Sequence, residues 1–294
     1  MTEPKTTEEQ HDIGKYQRIA LTFGECGENH HGNQELGKKG EAGTGFKTTD
    51  LMLIKQFIEN KLGNKCDYYD LGEHLKDVIK KGKAGKDIEW PTDAGVLVIR
   101  NFIKSNEVDG LFNEILAYDW DSKYLCTRRK KVLNKWARKN LVFVDGMEQE
   151  PQYEQGKGRV VDILKSPQLK ALKNRVKATL VIPLYNKSST KDTNYIIEGN
   201  YYYDFSKCGI GLHGDAERRR VACVSLGGDK YPMVWVWYYR NKPITDLIEV
   251  KLNSGDLYIM SEKAVGTDWK RSVLPTLRHG CGAYKYRNID KYNT

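Results

Sequence analysis

The chain has 294 residues and carries 48 lysines and arginines against 39 aspartates and glutamates, a formal charge of +9. That excess favours an anionic partner, nucleic acid first. No stretch of eighteen apolar residues is present, so no membrane-crossing helix is expected, and six scattered cysteines without a Cys-x-x-Cys pair argue against a zinc knuckle or a disulfide scaffold.

Residues 1–15 are polar and charged, read as a disordered tail, and lack the apolar core of a secretory signal. With reduced thiols, this implies a cytoplasmic or nuclear protein. Tyr16–Phe23 sets Ile19, Leu21 and Phe23 at alternate positions, the period of a strand. Gly24–Gly45 is glycine-rich, with Glu28, His30 and His31 near its start. A second metal site is one reading of that cluster. A surface or lid loop is preferred, because neighbouring residues of an extended chain point apart. Thr49–Leu62 repeats apolar residues at helical spacing before Gly63, and a second helix is expected over Leu71–Lys81. The lysine- and glycine-rich run Lys80–Asp87 reads as a linker, dividing an N-terminal extension (16–87) from a domain over 88–294.

Gly95–Phe102 has the apolar character of a buried strand, and Ser105–Leu116 that of a helix. Arg128–Lys139 holds seven basic residues and no acid. As a helix it would place Val132, Leu133 and Trp136 on one stripe, leaving the cations to contact phosphate or to stay solvated. Ser166-Pro167 is a helix start, followed by a buried stripe of Leu169, Leu172 and Val176. Ser188–Asp192 reads as a loop, and from Tyr195 onward the pattern is strand and turn. In Tyr231–Tyr239, Trp235 and Trp237 share a face that could stack on a base or fill a sheet interface. Ala264–Thr267 has the small residues that a mobile cover over a site would need.

The chemistry concentrates in residues 200–227. His213 and Asp215 are two apart, so on a strand both side chains meet one point. His279, 66 residues downstream, offers a third ligand from a chain with only six histidines. Two imidazoles and a carboxylate on one face of a metal leave the opposite positions open, which suits Fe(II) oxygenase chemistry. Asn200 and Tyr202 form a second i, i+2 pair, with donors suited to carboxylate or keto oxygens. Arg287, on an expected strand over Ala283–Ile289, is suited to the distal carboxylate of a 2-oxo acid. Arg218 and Arg219 follow the His-x-Asp directly; they reach a substrate phosphate or carboxylate, or pair with Glu217.

Asn-x-Tyr, His-x-Asp, Ser225-Leu226-Gly227, Ser254–Ser261, then a histidine and an arginine, in that order over about residues 94–290, resemble the AlkB-like branch of the 2-oxoglutarate/Fe(II) dioxygenases. The resemblance implies a mainly β fold with flanking helices around a double-stranded β-helix, or jelly roll. It implies Fe(II), 2-oxoglutarate as cosubstrate and O2, with oxidative decarboxylation to succinate coupled to hydroxylation of a C–H bond. On an N-methyl group that reaction ends in demethylation. The short His279–Arg287 interval, and Asn293 where the family has a second arginine, depart from the pattern. Nucleic acid is therefore the first substrate reading, a protein side chain or small molecule the second, and a non-catalytic β-barrel binding module the third. Arg218, Arg219, Trp235 and Trp237 are the expected substrate contacts.

Overall fold

The computed structural model describes residues 17–80, 90–184 and 194–290. The first strands are β1 (Arg18–Gly24), β2 (Cys26–Glu28), β3 (Glu35–Gly37), β4 (Cys66–Asp70) and β5 (Gly95–Ile99). Then come β6 (Lys123–Cys126), β7 (Lys131–Asn134), β8 (Lys139–Val144), β9 (Val160–Asp162) and β10 (Ile196–Tyr202). The last third adds β11 (Gly209–His213), β12 (Val221–Leu226), β13 (Tyr231–Tyr239), β14 (Lys242–Pro243), β15 (Ile248–Leu252), β16 (Leu257–Met260) and β17 (Thr276–Gly282). Helices are α1 (Thr48–Phe57), α2 (Glu73–Lys80), α3 (Ser105–Leu116), α4 (Pro167–Val181), α5 (Glu262–Val265) and α6 (Tyr284–Arg287). None of the described helices is long and apolar enough to cross a membrane.

The protein is mainly β. One sheet has eight strands in the order β4-β5-β16-β12-β1-β10-β8-β9, antiparallel throughout except for the parallel pair β8–β9. The second runs β11-β17-β13-β14, with β15 also paired to β13.

Alternation along β1 shows how the layers form. Ile19, Leu21 and Phe23 join a core shared with Leu51 and Ile54 of α1, Leu111 and Ile115 of α3, and Leu172 and Val176 of α4. Ala20, on the opposite face, joins a second core with Trp235, Val250 and Leu277 from the smaller sheet. β5 is buried on both sides for the same reason: Leu97 and Ile99 face the helices, Val96 and Val98 the second sheet. The cavity described below lies between the two sheets.

Several expectations change. The larger sheet is continuous across residue 87, because β1 hydrogen-bonds to β10 and β12, and β4 to β5. The start of the chain thus belongs to the same sheet as β10 and β12, the strands that precede and follow the His-x-Asp segment along the chain, while His213 itself ends β11 of the second sheet. Most of the Lys80–Asp87 run, the whole of Ser188–Asp192, residues 1–15 and Asn293 lie outside the described residues. Within Gly24–Gly45 the chain forms a β2–β3 hairpin packed on β10. Arg128–Lys139 is no helix: β6 and β7 pair as a separate hairpin, with Tyr124 opposite Leu133 and Leu125 opposite Val132. Ala264 and Val265 are fully buried in α5, which Gly266 ends in a left-handed conformation (φ 74°), so this segment is packed structure. Beyond Gly282 (φ 94°) the strand stops, and Ala283–Ile289 contains helix α6 in place of the expected strand.

Candidate metal centre

His213 ends β11 and lies directly across from His279 on β17. Between Ile210↔Cys281 and His213↔His279, β11 advances three residues while β17 advances two. That extra residue is a β-bulge, and it re-aims His213 so that both Ile210 and His213 face the cavity. The bulge needs Gly280, where a Cβ would lie 2.8 Å from the Ile210 carbonyl oxygen.

Asp215 is set by the next turn. A Cβ at Gly214 would lie 2.1 Å from the Gly266 carbonyl oxygen, so only glycine fits there. This close approach lets the Asp215 amide donate to the Val265 carbonyl (3.1 Å).

One ligand atom from each of His213, Asp215 and His279 lies within 4.8 Å of the others, and the imidazole centroids are 4.6 Å apart. With His213 Nδ1 donating to the Gly211 carbonyl 2.7 Å away, its Nε2 keeps the lone pair and faces Asp215 Oδ1 at 3.6 Å. His279 Nδ1 is buried without a hydrogen-bond partner among the described residues.

Charge states favour metal binding. Burial lowers the affinity of both imidazoles for protons; for His279, with His213 beside it, the pKa falls to about 3. Burial alone would push the Asp215 carboxyl up, but Arg218, then His279 and His213, outweigh it and hold it at about 2. Two neutral imidazoles and an ionised carboxylate are the donor set that a divalent metal requires. No other group of three or more potential ligands forms among the described residues. The His30–His31 pair is not a second centre: the His30 ring packs on Tyr124, with centroids 3.7 Å apart.

Arg218 is a clamp. Only 7 % exposed, it donates to Asp215 Oδ2 (3.0 Å, from Nε) and Glu198 Oε2 (3.0 Å, from Nη1), and lies 3.4 Å from Glu217. With Oδ2 occupied, Oδ1 remains for a metal. The network continues from Glu198 through the Asn200 side-chain amide (3.1 Å) to Asn140 and Arg138, both 2.6 Å from Asn200 Oδ1. Lys135 completes it, donating to Asn140 Oδ1 (2.9 Å), the Asn29 carbonyl (2.6 Å) and the Asn29 side chain. Its burial pushes the ammonium pKa down to about 7, helped by Arg138.

The cavity beside the trio is lined by Arg18, Ala20 and Thr22 of β1, Glu198, Asn200 and Tyr202 of β10, and residues of both sheets, including Tyr231, Tyr258 and Cys281. The predicted Asn200 and Tyr202 are therefore brought to the site. Tyr202 is 4 % exposed and accepts a hydrogen bond from Cys281 Sγ (3.3 Å).

Other predicted residues are elsewhere. Arg287, on α6, donates to the Gly282 carbonyl (2.7 Å) and pairs with Glu249 (3.1 Å), away from the cavity lining. Arg219 is tied by its amide to Glu25 (3.1 Å) and by Nε to the Gly40 carbonyl (3.3 Å). Trp235 and Trp237 are fully buried, donating to the Ala264 (3.2 Å) and Leu71 (2.8 Å) carbonyls, so they fill the sheet interface and stack on no substrate. Arg218 pairs with three of the protein's own carboxylates and orients Asp215, in place of the expected substrate contact.

Sequence reasoning missed Arg18, which is 2 % exposed yet has Nε and Nη1 without hydrogen-bond partners among the described residues. The signal was present: a charged residue at the head of a strand whose alternate positions are apolar. It also missed the β6–β7 hairpin beside the site. Its turn presents Arg128, Arg129, Lys130 and Lys131, all exposed, and Trp136 follows at 74 % exposure.

Over 269 residues the chain is 38% identical to the uncharacterized protein R156 of Acanthamoeba polyphaga mimivirus, spanning 91% of this chain and 96% of that protein. The chain belongs to the family of that viral protein. No family model matches the sequence. Among solved structures, OsALKBH1 is similar at 12% identity with a TM-score of 0.25, over 64% of this chain and 84% of that one, too distant to bear on fold or function.

Proposed function

We propose that this protein is a 2-oxoglutarate- and Fe(II)-dependent dioxygenase on a jelly-roll scaffold, acting on nucleic acid. The observation that carries the reading is the convergence of His213, Asp215 and His279 at the wall of a cavity between two sheets. Two imidazoles and one carboxylate leave open coordination positions, the arrangement of non-haem Fe(II) oxygenases. The donor set fits that metal.

His213, His279 and Asp215 would hold Fe(II), with Arg218 keeping Asp215 ionised and turned. Bound Fe(II) supplies the redox chemistry that couples decarboxylation of the 2-oxo acid to insertion of one atom of O2 into a C–H bond. Side chains of both sheets line the cavity, Tyr202 among them. Asn200 orients the acidic side of the site through Glu198, since its own amide groups are taken up by Glu198, Asn140 and Arg138.

The substrate class is supported by the hairpin. Four consecutive exposed cations and an exposed tryptophan suit a phosphate backbone and a stacked base. Tyr124 of β6 packs on His30, and Arg138 reaches Asn200, which ties this surface to the cavity. The testing experiment is succinate formation from 2-oxoglutarate with Fe(II) and ascorbate, with and without oligonucleotides. Succinate from the parent and none from His213→Ala is expected. Parent protein that binds Fe(II) but makes no succinate with any substrate would refute the dioxygenase reading.

A further inference from the structure

A jelly roll is a long hairpin rolled onto itself. With its eight strands numbered along the chain, the first pairs with the eighth, the second with the seventh, the third with the sixth and the fourth with the fifth. Take the strands around this cavity in the order β10, β11, β12, β13, β15, β16, β17 and then β1. All four pairs are present: β10 with β1, β11 with β17, β12 with β16, and β13 with β15. The contacts that complete each four-stranded half, eighth with third and seventh with fourth, are also made, as β1–β12 and β17–β13. Counted instead from the N-terminus, the rule would pair β1 with β17, which lie in different sheets. The eighth place is thus filled by the first strand of the chain.

That strand carries Arg18 into the cavity. Its guanidinium lies 4.5 Å over the Tyr231 ring, and no carboxylate among the described residues pairs with it. The Tyr231 hydroxyl is likewise buried without a hydrogen-bond partner there. A buried cation with unused donors is costly unless an anion completes it. Arg18 sits directly across from Tyr202, whose hydroxyl meets Cys281, two residues along β17 from His279. Arg18 and the three candidate ligands thus line one cavity.

We infer that Arg18, delivered by a circularly permuted jelly roll, anchors the far carboxylate of a 2-oxo dicarboxylate whose 2-oxo acid end faces His213, Asp215 and His279. This rests on the 2-oxo acid reading given above, and it replaces Arg287 in that role. Arg287 has its guanidinium engaged by Glu249 and the Gly282 carbonyl, whereas Arg18 has donors facing the cavity.

The test is calorimetric titration of the full chain, loaded with Mn(II) as a redox-inert stand-in, with 2-oxoglutarate and with 2-oxobutyrate, which lacks the second carboxylate. The parent should prefer the dicarboxylate by about 10- to 100-fold, the usual weight of a charge-assisted pair. Arg18→Met should abolish that preference with Mn(II) affinity unchanged, Arg18→Lys should reduce it, and Arg287→Met should keep it. Should Arg18→Met fail to fold, Arg18→Lys decides, since it retains the buried charge but loses the fork. Undiminished preference in a folded Arg18 variant, or its loss in Arg287→Met, overturns the assignment while leaving the 2-oxo acid reading intact. A parent that takes Mn(II) but neither 2-oxo acid overturns both.

Discussion

At the His213–Asp215–His279 end of the cavity each charge has a counter-charge, whereas at the Arg18 end a cation faces the cavity with donors unused. The first end is rigid because its parts fix one another: the bulge turns His213, Gly214 seats Asp215, and Arg218 binds three carboxylates. The second leaves Arg18 Nε and Nη1 without partners among the described residues, donors that the proposed cosubstrate would engage. Preorganised ligands and an incomplete anion site are what a metal centre with a diffusible cosubstrate requires.

The largest effect is expected from breaking the self-sufficient end. Arg218→Met leaves Asp215, Glu198 and Glu217 buried without their shared cation, and should cost about 3–5 kcal/mol of stability. Denaturant unfolding of the variant measures this, and a loss below about 1 kcal/mol would show that the carboxylates repack. Gly214→Ala should come next. Its methyl group cannot coexist with the Gly266 carbonyl, so Asp215 must shift and Mn(II) affinity should fall by about tenfold or more, as read by titration.

The third prediction concerns Glu28, outside the cavity lining, whose amide donates to Glu198 (3.4 Å). Glu28 is 15 % exposed, and burial, with Glu198 and Glu217 nearby, pushes its carboxyl up to about 7. The folded state therefore holds this proton more tightly than the unfolded chain. The contribution is fully present below about pH 4.5 and is lost as pH rises through about 7. Glu28→Gln should be more stable than the parent at pH 8 by on the order of 1–3 kcal/mol, the gain vanishing towards pH 4.5 in thermal melts. The smallest effect should come from the hairpin. Replacing Arg128, Arg129 and Lys130 with serine should reduce the salt slope of single-stranded oligonucleotide binding by about 2, at ~0.7 per phosphate contact, without changing Mn(II) affinity.

The same contrast explains what was legible in the sequence. His213, Asp215 and His279 could be read because a short-range spacing and a scarcity of histidines single them out. Arg18 left a weaker trace, a charge heading an apolar strand, and its place in the cavity comes from pairing with Tyr202 on a strand far along the chain. The helices α1, α3 and α4 were legible from their apolar periodicity. The β6–β7 hairpin was misread because Val132, Leu133 and Trp136 imitate a helical stripe. Its turn places Lys130 at φ 49° where glycine or asparagine would have given the signal. The tryptophans of β13 alternate as a binding face would, and only burial from both sides reveals them as core. For Arg287 a warning was available, because Gly282 just upstream marks the end of β17.

The most direct measurement is anomalous diffraction from crystals grown with Mn(II). A single strong peak at bonding distance from His213, Asp215 and His279, open towards the cavity that Arg18 lines, is the predicted result. A folded, Mn(II)-soaked crystal with no peak there, or with its peak at the Glu28–His31 pair instead, would contradict the metal centre on which the proposed chemistry depends.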